Sequence, residues 1–176
     1  MNLEEKQLKS KTLYQGKILT LKVDEVGLPD GSTSVREYIK HSGGAAVLLI
    51  KNKKVLLVKQ FRYAYGKEIY EIPAGKLNSG EEPMVAAARE LEEETGYKAK
   101  LVHAFDLYPS PGYTDEIIHI YFAEKFVFTG QNLDEGEFLN CEFILLEKVI
   151  KMIESGEICD AKTVSAIYRY LYLNNL

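Results

Sequence analysis

The stretch that decides the reading is Gly75-Lys76-Leu77-Asn78-Ser79-Gly80-Glu81-Glu82-Pro83-Met84-Val85-Ala86-Ala87-Ala88-Arg89-Glu90-Leu91-Glu92-Glu93-Glu94-Thr95-Gly96-Tyr97. Its first six residues are loop-forming. Pro83 suits a first helical turn, three consecutive alanines favour helix, and Gly96 stands where a C-terminal cap belongs. Met84, Ala87, Ala88 and Leu91, at spacings of three and four, are expected to form the buried side. Glu90, Glu93 and Glu94 then project from roughly one face. Like charges at that spacing repel, and between Glu81 and Thr95 the one basic residue is Arg89. A solvated acidic face usually interleaves lysines; this one does not, which suits a hard divalent cation held by carboxylate oxygens.

Outward from this helix the chain reads as mixed α+β. Apolar runs at 18–26, 34–39 and 45–50 predict a hairpin, turning at Leu28-Pro29-Asp30-Gly31, that feeds a further strand. Runs 45–50 and 55–60 are expected in the central sheet. Further strands are predicted at 69–73, 100–107, 116–123 and 141–145, with residues 74–80 as a loop and helices at 146–154 and 161–173. This order lacks the regular alternation of a doubly wound parallel fold.

Composition bounds the function. With 176 residues, 46% hydrophobic and 27% charged, the chain is expected to be a soluble, cytoplasmic protein. No apolar run is long enough to span a bilayer, so no membrane partner is expected. The net charge of −4 argues against general nucleic-acid binding, and Cys141 and Cys159 lack the spacing of a disulfide framework or zinc site.

Gly75, five residues, Glu81, seven residues, and Arg89-Glu90-Leu91-Glu92-Glu93-Glu94-Thr95-Gly96-Tyr97 resemble the Nudix box of diphosphate hydrolases at every defining position. The resemblance implies an α/β/α sandwich with a mixed sheet (residues 43–176), preceded by an N-terminal antiparallel β-layer (1–42) that takes part in homodimer contacts. It implies Mg²⁺, with Mn²⁺ as substitute, bound by Glu90, Glu93, Glu94 and the Ala74 carbonyl, with Arg89 bracing the glutamates.

Other segments are similar to the ADP-ribose pyrophosphatase branch of that family: Val58-Lys59-Gln60-Phe61-Arg62, Glu71-Ile72-Pro73-Ala74-Gly75, Tyr108-Pro109-Ser110-Pro111-Gly112-Tyr113-Thr114-Asp115-Glu116, Gly136-Glu137-Phe138 and Gly156-Glu157-Ile158-Cys159-Asp160-Ala161. This likeness implies hydrolysis of ADP-ribose to AMP and ribose 5-phosphate. Arg62 and Glu116 would contact substrate, Arg36 or Tyr38 would reach it from the partner subunit, and Glu137 would be the general base, with Glu135 as competitor. Another nucleoside diphosphate sugar is the alternative substrate. A non-catalytic ligand sensor is the alternative class, against which the intact glutamate set speaks. His119 is expected to be a packed strand residue.

Overall fold

Every residue of β4 (Gly44–Leu48) is buried, and that fixes the layering. Ala46 and Leu48 pack with Val149, Met152, Ile158, Ala166 and Ile167 on one side of the sheet. Ala45, Val47 and Leu49 pack with Ala86, Ala87 and Leu91 on the other. A strand alternates its side chains between faces, so one buried on both must lie between two helical layers. This is the expected α/β/α sandwich, and the fold class is α+β.

The protein is seen here as a computed structural model that describes residues 2–133, 136 and 138–176. After β1 (Lys6–Gln15), β2 (Leu19–Gly27), β3 (Thr33–His41) and β4 come β5 (Ile50–Lys51), β6 (Lys54–Arg62), β7 (Lys67–Glu71) and β8 (Ala74–Lys76). Then follow α1 (Pro83–Thr95), β9 (Tyr97–Leu107), β10 (Ile118–Phe128), β11 (Leu139–Leu145), α2 (Leu146–Glu154) and α3 (Ala161–Leu173). A mixed sheet runs β8-β4-β10-β9, with β4 and β10 parallel and the other pairs antiparallel. An antiparallel sheet runs β11-β6-β5, with β7 also on β6. The runs expected together in one central sheet thus part company: β4 joins the first sheet and β6 the second, linked by the small β5–β6 hairpin.

β1, β2 and β3 form a separate three-stranded antiparallel sheet. The β2–β3 hairpin turns where expected, with Gly31 at φ 88° and Asp30 accepting from the Ser32 N–H. β1 escaped the sequence reading because its lysines and polar residues offer no apolar run, and all ten of its residues are exposed. The sheet docks on the β9–β10 connection: Ile39 N–H donates to the Tyr113 carbonyl and Asp115 N–H to the Ile39 carbonyl.

α1 starts at Pro83 and ends at Gly96, whose φ of 74° and N–H bond to the Glu92 carbonyl make the expected cap. A Cβ at Gly96 would lie 2.6 Å from the Gly130 and Gln131 backbone, so a second constraint requires glycine there. The buried face needs correcting. α1 buries Ala86, Ala87, Leu91, Glu94 and Thr95, whereas Met84 is 49% exposed and Ala88 is also exposed. Three alanines in a row leave the apolar period degenerate. Leu91 decides it, because burying that side chain contributes about 2 kcal/mol and turns its i−4 and i+3 neighbours, Ala87 and Glu94, inward. Among the described residues no helix is long and apolar enough to cross a membrane.

Candidate active site

The turn into α1 is built for close approach. Residues 74–76, expected as loop, instead form β8 and pair with β4, placing Gly75 opposite Ala45. A Cβ on Gly75 would come 1.9 Å from the Glu90 carboxyl group, so glycine is what lets this glutamate lie against the strand. The Ala74 N–H donates to Glu94 Oε2 at 2.9 Å, which ties a buried carboxylate to β8. At the far end of the helix the Cys141 thiol and the Gln131 amide both donate to the Glu94 carbonyl. Burial pushes the Cys141 thiol up to about 11, so it acts as a weak donor and not as a nucleophile.

Arg89 makes hydrogen bonds throughout the cluster. Its Nη1 donates to Glu90 Oε1 at 2.8 Å and to Glu93 Oε2 at 2.9 Å. Nε and Nη2 grip the two oxygens of Glu81 at 3.0 and 3.1 Å. Hydrogen bonding to Arg89 foremost, then to the Asn78 backbone N–H, holds Glu81 down at about 2. The same contacts, led by Glu81, raise Arg89 further above its ordinary value. One cation therefore serves three carboxylates, while Glu94 adds a fourth from the same helix.

Glu90, Glu94, Ala74 and Arg89 line a cleft of 560 Å³ together with Arg62 and Glu116. Glu93 joins through Arg89. Glu116 approaches His41 Nδ1 at 3.5 Å, and the same nitrogen lies 3.1 Å from the Gly43 backbone nitrogen. Arg36 lies away from this cleft in its own chain, exposed on β3 and bonded to both oxygens of Glu5 at 2.5 and 2.9 Å. Tyr38 is held by Asp24 on the neighbouring strand. Glu137 and Glu135 lie outside the described residues.

Sequence reasoning missed the roles of Glu71 and Lys162. Arg62 places a two-pronged grip on Glu71, Nε to Oε1 at 2.6 Å and Nη2 to Oε2 at 2.7 Å. Lys162, on the first turn of α3, reaches the same carboxylate and Asp160. Burial opposes ionisation of Glu71, yet the Arg62 fork and the Lys162 charge outweigh it and its pKa is lowered. Asp160 caps α3 by accepting from the Thr163 N–H, and Thr163 Oγ1 accepts the Ile72 N–H, which ties the helix to the chain just ahead of Ala74. Glu71 and Asp160 both fall in segments that carried the resemblance, but a bond spanning 91 residues leaves no local signal.

The residues fit a divalent metal. Glu90, Glu94 and Ala74 line the same cleft, the two carboxylates are hard oxygen donors, and the missing side chain at Gly75 lets Glu90 lie against the strand. Residues 40–166 match the NUDIX domain, and residues 5–39 match the nucleoside diphosphate sugar hydrolase N-terminal domain. The chain belongs to the Nudix family. It is 47% identical to the ADP-ribose pyrophosphatase of Bacillus subtilis (strain 168), covering 98% of this chain and 95% of that one. It is 44% identical to the methanol dehydrogenase activator of Bacillus methanolicus, over 97% and 94% of the two chains. A crystal structure of an ADP compounds hydrolase superposes with a TM-score of 0.84 at 22% identity, covering 99% of this chain and 98% of that one, which supports the fold.

Proposed function

We propose that this Nudix protein hydrolyses the diphosphate linkage of ADP-ribose, giving AMP and ribose 5-phosphate, with Mg²⁺ or Mn²⁺ as its cofactor. The observation that carries the reading is the composition of the cleft beside α1. It sets the carboxylates of Glu90 and Glu94 in one cleft with a guanidinium and an ammonium, near enough that Glu94 adds to the charge holding Arg62 protonated. A diphosphate needs both: cations to pair its oxygens, and an oxygen-rich site to hold the metal that accompanies it. The likeness to the Bacillus subtilis ADP-ribose pyrophosphatase supports the substrate, and the N-terminal match supports the wider class of nucleoside diphosphate sugars.

In this reading Glu90, Glu93, Glu94 and the Ala74 carbonyl hold the metal, which when bound polarises phosphoryl oxygens and lowers the pKa of the attacking water. Arg89 keeps the glutamates oriented. Arg62 pairs the diphosphate with its planar fork, pre-aimed by Glu71, and Lys162 adds a second positive charge. Glu116 contacts the substrate from the β9–β10 connection. The general base comes from the segment 132–137, with Glu137 ahead of Glu135 because it stands in the Gly136-Glu137-Phe138 likeness. The protein works in the cytoplasm as a homodimer. Its β1–β3 layer, exposed along the whole of β1, would carry Arg36 or Tyr38 to the partner's cleft.

The test is product analysis with Mg²⁺ and a panel of ADP-ribose, GDP- and UDP-sugars, diadenosine polyphosphates and oxidised nucleotides. Preferred cleavage of ADP-ribose with AMP released is expected. Preference for another sugar nucleotide would replace the substrate and keep the chemistry, and inactivity with every metal would overturn the hydrolase reading.

A further inference from the structure

A second group of ligating side chains forms on the neighbouring strands β9 and β10. His103 Nε2 and His119 Nδ1 each lie 2.8 Å from the same oxygen, Asp106 Oδ1. Asp106 faces His119 directly across the ladder. His103, three residues earlier, would point to the opposite face of a regular strand. A register shift opposite Ile120 and Tyr121 adds one residue to β9 there and brings His103 round to join them. The Tyr121 ring packs edge-on against the His103 imidazole at 5.5 Å, which limits its rotation. The side chains of His103 and Asp106 are 49% and 42% exposed and that of His119 is 20% exposed, so the group opens to solvent. His119 is a packed strand residue, as expected, and its ring also meets Asp106.

We propose that His103, Asp106 and His119 bind one borderline divalent transition metal of the Zn²⁺ class, at a site separate from the glutamates of α1. Two imidazoles and a carboxylate suit Zn²⁺, Ni²⁺ or Co²⁺, whereas the all-oxygen set on α1 suits Mg²⁺ or Mn²⁺. With metal–ligand bonds of about 2.1 Å, tetrahedral ligand atoms stand roughly 3.4 Å apart. The three ligand atoms here already lie within 4.8 Å of one another, and opening the two 2.8 Å contacts by about half an ångström needs side-chain rotation alone. Water would complete the coordination from the open side.

The position gives such an ion a consequence. Asp106 and His119 stand at the two roots of the connection 108–117, whose Glu116 lines the cleft and whose Tyr113 and Asp115 bond β3. A metal there would tie the base of that connection.

The measurement is equilibrium dialysis of the full chain against micromolar Zn²⁺ in millimolar Mg²⁺, for the native protein, His103→Ala, Asp106→Asn and Glu94→Gln. His103 is half exposed, so His103→Ala should keep its fold, with thermal melting as the control and Asp106→Asn as a second probe. One tight Zn²⁺ per chain is expected in the native protein and in Glu94→Gln, weakened at least about tenfold in the two β9 variants. Equal binding in native protein and both β9 variants would overturn the site, as would tight Zn²⁺ lost only in Glu94→Gln or absent from all four proteins. The readout is binding, so it stands apart from the hydrolase reading.

Discussion

Two ionic clusters line the same cleft with inverse proportions. On α1 one guanidinium, Arg89, serves the carboxylates of Glu81, Glu90 and Glu93. Where β6, β7 and α3 meet, one carboxylate, Glu71, serves the cations of Arg62 and Lys162. The first arrangement leaves an excess of hard oxygen donors beside Gly75, and the second concentrates positive charge beside Gln60. Such a polarised cleft has a complement for both parts of its ligand, because a metal cation suits the first cluster and a phosphate oxygen the second. The difference also separates the clusters by role. Glu71 is buried, lies behind the cleft lining and is neutralised on both sides, so its removal is felt in stability, whereas Glu90 and Glu94 line the cleft, so theirs is felt in turnover.

The largest expected effect tests the α1 cluster. Glu94→Gln keeps an amide oxygen to accept the Ala74 N–H, so melting should change little. It removes an anionic metal ligand, and the several kcal/mol that metal stabilisation supplies correspond to a loss in kcat of at least about 1,000-fold. Near-native turnover in a steady-state assay would break the comparison at its first term. Next comes Glu71→Ala, which leaves Arg62 and Lys162 without their shared carboxylate. Breaking an enclosed pair costs about 3–5 kcal/mol, and because Arg62 reaches the cleft we expect about 2–3 kcal/mol in urea unfolding, together with a raised KM for the substrate. Unchanged stability would show that the two clusters do not differ as argued.

These two clusters were unequally legible in the sequence. Glu90, Glu93 and Glu94 fall on one helix, where side-chain direction follows from residue spacing; Glu90 and Glu94 line the cleft and Glu93 joins them through Arg89. The Glu71–Lys162 contact joins β7 to α3 and depends on tertiary packing, so only Arg62 of that group was singled out. Strands with apolar runs were found, and α2 and α3 have the predicted bounds. β1 was not, because a strand exposed along its whole length has no burial pattern to read. The α1 face was half misread because alanine carries too little hydrophobic contrast to set a phase. His119 packs in its strand as read, but its grouping with His103 and Asp106 was missed, since nothing in the sequence announces the bulge that turns His103 towards it.

The smallest effect sharpens the comparison through pH. Glu81 is held at about 2 by Arg89, and Glu71 is also lowered, so both are ionised in the folded protein at acidities where the unfolded chain takes up protons. Depressed carboxylates contribute stability that is fully present above the unfolded value near 4.5 and is lost as pH falls through the folded one. Urea midpoints measured from pH 6 to 3 should therefore fall for the native protein. Glu81→Gln cannot titrate at this position, so its profile should start lower at pH 6, decline less steeply below about 4.5, and approach the native curve towards pH 2. Parallel profiles would mean that Arg89 does not depend on Glu81, and that the α1 cluster is held by Glu90 and Glu93 alone.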